Sequence, residues 1–83
     1  MIIEKGVIFS ISENSGEQEK YIVVERIEDI GGRGEGGWIC FNWDAVLEKG
    51  IDNISAFDCW RVTDRYLEIQ IQRGALNIMD EIS

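Results

Sequence analysis

The sequence predicts a mainly β protein, with an α+β arrangement as the alternative, built as a small five-stranded antiparallel barrel or curled sheet. Five segments are alternately apolar or rich in β-branched residues, which is typical of strands. One short segment between the third and fourth of them carries helix-capping residues at both ends. The chain has 83 residues, so we expect one domain over residues 1–83 with a small core.

The first two strands form a predicted hairpin. Val7, Phe9 and Ile11 alternate with other residues at the period of a strand. Residues 12–18 are polar and contain an Asn-Ser-Gly turn signal. Residues 20–27 are rich in β-branched side chains, which predicts the second strand.

A glycine-rich segment follows the second strand. Residues 31–37 contain five glycines, and ordering so many glycines costs conformational entropy. We therefore expect a mobile connection. It lacks the Gly-Lys-Ser/Thr sequence of a phosphate-binding loop and leads into a strand rather than a helix. That third strand is predicted at residues 38–41.

The predicted helix lies between the third and fourth strands. Asn42 is a favourable N-cap, and Asp44 suits the positive end of the helix dipole. Lys49 lies in the last turn, and Gly50 suits the left-handed position that ends a helix. A helix of two turns is unstable in isolation, so it must pack on the sheet.

The last third of the chain predicts a second hairpin, with strands at residues 57–62 and 66–72 and a two-residue turn at Asp64 and Arg65. This register places apolar side chains on one face and opposite charges on the other. The resulting cross-strand pairs are Val62–Leu67, Arg61–Glu68 and Trp60–Ile69.

The tail at residues 75–82 is predicted either to form a helical turn that presents Leu76, Met79 and Ile82 or to fray. The element order is then β-β-β-α-β-β, which is similar to that of an OB-like barrel, and an SH3-like barrel also fits. Uncovered strand edges lead us to expect a homodimer, formed through an edge strand or the tail.

The charge balance narrows the range of functions. Sixteen acidic and eight basic residues give a net charge of −8, which would repel nucleic acids and anionic membranes. The chain has no histidine, the commonest general base and metal ligand. We therefore expect no catalytic residue, no metal site and no cofactor.

The cysteines and the amino terminus indicate a compartment. Cys40 and Cys59 lack the spacing of redox or zinc motifs, so we expect free thiols in a reducing cytosol, with a single disulfide as the weaker alternative. The first residues lack the features of a signal peptide, and no apolar run approaches the roughly 18 residues of a membrane span. We expect a cytoplasmic protein of a bacterium or a phage-infected cell.

These limits favour binding over catalysis. The leading hypothesis is a non-enzymatic acidic module that inhibits a basic nucleic-acid-handling protein or a toxin, as phage anti-defence proteins of the anti-CRISPR type, immunity proteins and antitoxins do. Its acidic surface would imitate nucleic-acid phosphates. The alternative is a small β-barrel adaptor or structural subunit whose acidity gives only solubility. A small-ligand binder or enzyme is the third hypothesis.

The predicted binding site lies around the glycine-rich segment. Glu25, Glu28 and Asp29 form an acidic patch at the end of the second strand. Trp60 alternates with apolar neighbours and is expected in the core, whereas the other two tryptophans are candidate interface anchors. The predicted partner-binding residues are Glu25, Glu28, Asp29, Arg33, Glu35, Trp38 and Trp43.

Overall fold

The computed structural model describes residues 3–12, 16, 18–32 and 34–79. These residues form one five-stranded antiparallel sheet with strand order β4-β3-β2-β1-β5. The sheet is open, with β4 and β5 at its edges, so the predicted fold class is confirmed in its curled-sheet form rather than as a barrel. The strands are β1 (Ile8–Ser12), β2 (Gln18–Ile27), β3 (Gly37–Asn42), β4 (Cys59–Thr63) and β5 (Leu76–Met79), and the helices are α1 (Trp43–Lys49) and α2 (Asp64–Gln72).

The capping residues of α1 act as predicted. The Asn42 side chain accepts a hydrogen bond from the Ala45 backbone N–H at 3.0 Å, which satisfies one donor of the first turn. Gly50 has a φ of 87°, and its N–H donates to the Val46 carbonyl at 2.9 Å. The helix therefore begins and ends where local sequence chemistry indicates, and it packs near β2 and β3.

Residues 64–72 form helix α2, so the predicted strand at residues 66–72 and its two-residue turn are wrong. Thr63 caps the helix by accepting from the Tyr66 N–H at 3.1 Å. Alternating apolar residues suggested a strand, yet Leu67 is buried while Ile69 is 43% exposed, as helical geometry requires. β4 pairs with β3 instead, and the predicted pairs Val62–Leu67, Arg61–Glu68 and Trp60–Ile69 are wrong.

The fifth strand comes later in the chain than predicted. Leu76–Met79 pairs antiparallel with β1, so the helical or frayed tail is wrong over these residues. Leu76 lies opposite Ile11 and is buried in the sheet, which removes it from any docking surface of the tail. Ile82 lies outside the described residues, and the predicted homodimer stays a prediction.

Helix α2 closes the core on one face of the sheet. It connects β4 to β5 at opposite edges, so it must cross that face. Trp60 packs against the core, as predicted, and its ring lies between those of Tyr21 and Tyr66, with centroid distances of 4.7 and 5.5 Å. The core residues are Phe9, Ile11, Val23, Cys40, Val62, Leu67 and Leu76.

Candidate functional site

A β-bulge in the β2–β3 pair decides which face of the sheet carries Arg26. The aligned pairs are Val23–Cys40, Glu25–Ile39 and Arg26–Trp38. Val24 is the additional residue, and it inverts the alternation of the side chains beyond it. Arg26 therefore lies on the α2 side of the sheet with Trp38, and Glu25 lies on the opposite side.

Arg26 joins β2 to the first turn of α2. Its Nη1 and Nη2 donate to Oδ1 and Oδ2 of Asp64 at 2.8 and 2.9 Å, and its Nε lies 3.6 Å from a carboxylate oxygen of Glu28. The guanidinium also lies 5.1 Å from the ring centroid of Trp38. The hydrogen bond with Asp64 raises the pKa of Arg26. The positive charge of Arg26 is therefore engaged within the chain.

Two glycines make room for this arrangement. A Cβ on Gly36 would overlap Nη2 of Arg26, and a Cβ on Gly37 would overlap the Val62 carbonyl oxygen. The Gly36 carbonyl also accepts from the Asp64 N–H at 3.0 Å. The end of the glycine-rich segment thus allows β3, β4 and the Arg26 side chain to approach closely.

A cleft of about 470 Å³ lies beside the Arg26–Asp64 pair. Trp38, Leu67 and Ile71 give it apolar walls, and Glu68 adds a second carboxylate. Because Arg26 is already bonded to Asp64, the cleft suits a cationic, partly apolar group better than an anion. The lining residues are Ile3, Arg26, Trp38, Asp64, Leu67, Glu68, Ile71 and Gln72.

The predicted acidic residues lie at and beside the β2–β3 turn, with Glu25 on the face of the sheet opposite Arg26. Glu25, Glu28, Asp29 and Glu35 are exposed there, and Arg33 lies outside the described residues. The Asp29 carboxylate accepts from the backbone N–H of Gly34, so it also holds the shape of the turn. The Ile30 N–H donates to the Glu35 carbonyl at 2.7 Å, and the chain turns through left-handed backbone at Gly31 and Gly32, with φ of 71° and 72°.

The two candidate tryptophan anchors do not share a site. Trp38 and Trp43 are separated by the length of β3, about 16 Å at about 3.3 Å per residue. Trp38 is half-buried, packed against the core and the Arg26 guanidinium. Trp43 is half-buried at the start of α1. The structure therefore places Trp38 with the acidic turn and Trp43 away from it.

Large apolar side chains are exposed on a different surface. Trp43, Ala45 and Val46 of α1 are half-buried, whereas Asp44, Leu47 and Glu48 face solvent. Leu47 is 67% exposed, Ile51 is 51% exposed, and Phe57 is 98% exposed. The Lys49–Asp58 ion pair holds residues 50–58 against the end of α1, and we call the exposed side chains of this segment the α1 surface: Asp44, Leu47, Glu48, Ile51, Asp52 and Phe57.

Hydrogen bonds brace the segment that carries Phe57. Nζ of Lys49 lies 3.0 Å from Oδ2 of Asp58, and the Ser55 hydroxyl donates to the same oxygen at 3.0 Å. The Asn53 side chain donates to the Lys49 carbonyl at 2.8 Å. Hydrogen bonds from Lys49 and then Ser55 lower the pKa of Asp58. The 3₁₀ turn at Ala56–Asp58 also makes β4 begin at Cys59, later than predicted.

The acidic and cysteine side chains of the described residues bear on metal binding and thiol chemistry. No group of three or more Cys, Asp or Glu side chains among residues 3–12, 16, 18–32 and 34–79 is arranged to hold a metal ion. Cys40 and Cys59 are unpaired, as predicted. Burial raises the pKa of the Cys40 thiol to about 12, which suppresses its reactive thiolate. Within the same residues, no helix has the length and apolar character needed to cross a membrane.

Comparison with protein-family models, curated proteins and solved structures finds no match to this chain. The functional interpretation therefore rests on the charge and the geometry of this chain. Sequence reasoning missed the Arg26–Asp64 pair, because the bulge and α2 that create it are tertiary features. It also assigned Phe57 to a strand. The signal that could have corrected this is Ser55 followed three residues later by Asp58, a capping-box spacing.

Proposed function

We propose that this protein is a non-enzymatic module that binds a basic protein through its acidic surface. The observation that carries the proposal is the uncompensated negative charge, a net −8 over the whole chain. Two of the cations that this sum already counts, Arg26 and Lys49, are bonded to Asp64 and Asp58. The exposed carboxylates of the described chain belong to Glu4, Glu25, Glu28, Asp29, Glu35, Asp44, Glu48, Asp52 and Glu68.

The partner class that this charge favours is a nucleic-acid-handling protein or a toxin, whose basic surface normally contacts phosphates. Carboxylates that imitate phosphates accelerate encounter with such a surface and restrict the choice of partner. Inhibitors of the phage anti-defence, immunity-protein or antitoxin kind use this physical strategy. The proposal for this chain is inhibition by occupying the basic surface, without a chemical step.

The test is capture of partners from lysate of the native host, followed by binding kinetics with the purified partner. We expect association to slow steeply between about 50 mM and about 500 mM salt, because screening shortens the reach of the charges. Dissociation should change less. A partner whose association is insensitive to salt would contradict the proposal and favour an adaptor whose acidity serves only solubility.

Two variants of matched charge locate the contact. The turn variant combines Glu25→Lys and Glu28→Lys with Asp29→Asn, which keeps an acceptor near the Gly34 N–H. The α1 variant combines Asp44→Lys and Glu48→Lys with Asp52→Asn. Slower association in either variant alone would identify the docking face. Unchanged association in both folded variants would leave the acidity without a role in binding.

A further inference from the structure

The exposure of Phe57 is unusual for so large an apolar side chain. At 98% exposure it contributes almost no burial to the fold, although hydrogen bonds from Ser55 and Lys49 to Asp58 fix the adjacent backbone. Single exposed apolar residues are common on protein surfaces. Here Leu47 and Ile51 are also exposed, within the same segment of residues 47–57. The fold thus presents three apolar side chains on one braced segment.

Within residues 43–58, the charged side chains that are not paired with each other are all acidic. Asp44 and Glu48 lie on the exposed side of α1 with Leu47, at the three- and four-residue spacings that place side chains on one helix face. Asp52 follows Ile51 in the next turn. Lys49, the only basic residue between residues 43 and 58, is bonded to Asp58. The α1 surface is therefore apolar with an acidic border.

We propose that the α1 surface docks an amphipathic helix of a partner protein, with apolar side chains along one stripe and lysine or arginine beside it. This inference rests on the proposed function and names its mode of contact. An apolar stripe covers Leu47, Ile51 and Phe57, while the flanking cations meet Asp44, Glu48 and Asp52. Phe57 is the anchor, because an exposed aromatic side chain gains most from burial in an interface.

Charge excludes the other occupants of this surface. A second copy of the chain would place its own acidic border against this one, and like charges at an interface disfavour pairing. An anionic membrane or a nucleic acid meets the same repulsion. Strand addition would use the open backbone edge of β4 rather than the side chains of the α1 surface. A basic amphipathic helix satisfies both the apolar centre and the acidic border.

The test uses three synthetic peptides of roughly 15 residues, about four helical turns. The first peptide has leucines on one helix face and lysines on the other, the second replaces each lysine with glutamate, and the third is oligolysine. Each is titrated into the ¹⁵N-labelled protein while backbone amide shifts are followed. The Leu/Lys peptide should shift amides of residues 44–58 and bind about tenfold tighter than oligolysine. The Leu/Glu peptide should not bind.

Two variants give the decisive comparison. Phe57→Ala should lower the affinity for the Leu/Lys peptide by about tenfold, as loss of an interface anchor does. The matched control Ile78→Ala removes another exposed apolar side chain, 47% exposed on β5, and should change affinity by less than about twofold. Phe57→Ala should fold normally because its side chain lies in solvent.

Binding that shifts amides elsewhere, or that Phe57→Ala leaves unchanged, would overturn the inference. So would failure of the Leu/Lys peptide to bind. These results are distinguishable from failure of the proposed function, which is decided by the salt dependence of a native partner. If a native partner binds in a salt-sensitive manner but Phe57→Ala leaves the peptide affinity unchanged, the proposed acidic binding module stands and the helix-docking inference is rejected.

Discussion

Replacing Leu67 and Ile69 by alanine, one at a time, separates the helix observed at residues 64–72 from the strand that the sequence suggests. In α2, Leu67 is 2% exposed and belongs to the core, whereas Ile69 is 43% exposed. In a strand the two side chains would share one face and be buried together. The two substitutions should therefore lower the free energy of unfolding by different amounts if residues 64–72 form a helix, and by similar amounts if they form a strand.

The burial of each side chain sets the expected loss in the free energy of unfolding. Leu67→Ala removes a fully packed side chain and should lower the free energy of unfolding by about 3 kcal/mol. Ile69→Ala removes a side chain that already contacts water and introduces a better helix former, so its net cost should be below about 1 kcal/mol. A domain of this length has a total stability of roughly 4–12 kcal/mol. The first change is thus a large fraction of the whole.

The assay is urea denaturation followed by circular dichroism. With a slope of about 1 kcal/mol per molar urea, Leu67→Ala should move the midpoint down by about 3 M and Ile69→Ala by less than about 1 M. If Leu67→Ala does not fold, Leu67→Met provides a volume-conserving substitute that should cost less than about 1.5 kcal/mol. Equal destabilisation by the two alanine variants would refute the helix and return residues 66–72 to the sheet.

Three further predictions follow from particular contacts. Gly37→Ala should destabilise the protein by about 1–3 kcal/mol, because its Cβ meets the Val62 carbonyl; an unchanged urea midpoint would contradict this. At about pH 8, iodoacetamide should modify the exposed Cys59 rapidly and Cys40 only after unfolding, because burial raises the pKa of Cys40 to about 12; mass spectrometry of the native protein should show one adduct. Asp58→Asn should destabilise the protein near neutral pH but not in acid. The pKa of Asp58 is lower in the folded protein than the value of about 3.9 in the unfolded chain, so the ionised carboxylate stabilises the fold above that pH. This stability is lost as the pH falls through the folded-state pKa. Parallel stability curves for Asp58→Asn and the native sequence across the acid range would refute it.

Local interactions made the first half of the fold predictable from sequence. The ends of α1 depend on Asn42, Gly50 and their immediate neighbours, so residue identity is sufficient to place them. The β1–β2 hairpin is likewise close in the chain, and the alternation of Phe9 and Ile11 marks its core face. The position of the helix between the third and fourth strands follows from the same local signals.

The candidate site was predictable only in its chemical character. Net charge is a property of composition, so the sequence alone predicts an acidic surface. The position of Glu25 on the face opposite Trp38 depends on the bulge at Val24, which requires a partner strand. The exposure of Phe57 depends on how Lys49 and Asp58 meet across the intervening turns.

By itself, then, the sequence determined the mainly β class, the capped helix α1, the unpaired thiols and the acidic charge, since each depends on composition or on neighbours in the chain. Only the tertiary structure decided the state of residues 64–72 and 76–79. The apolar alternation at Leu67 and Ile71 is compatible with either a strand or a helix face, because both positions recur on one side in each geometry. Long-range contacts determine whether these residues form a strand or a helix. Arg26 binds Asp64 at the start of α2, and β1 pairs with Leu76–Met79, so the helix covers the core and the later segment completes the sheet.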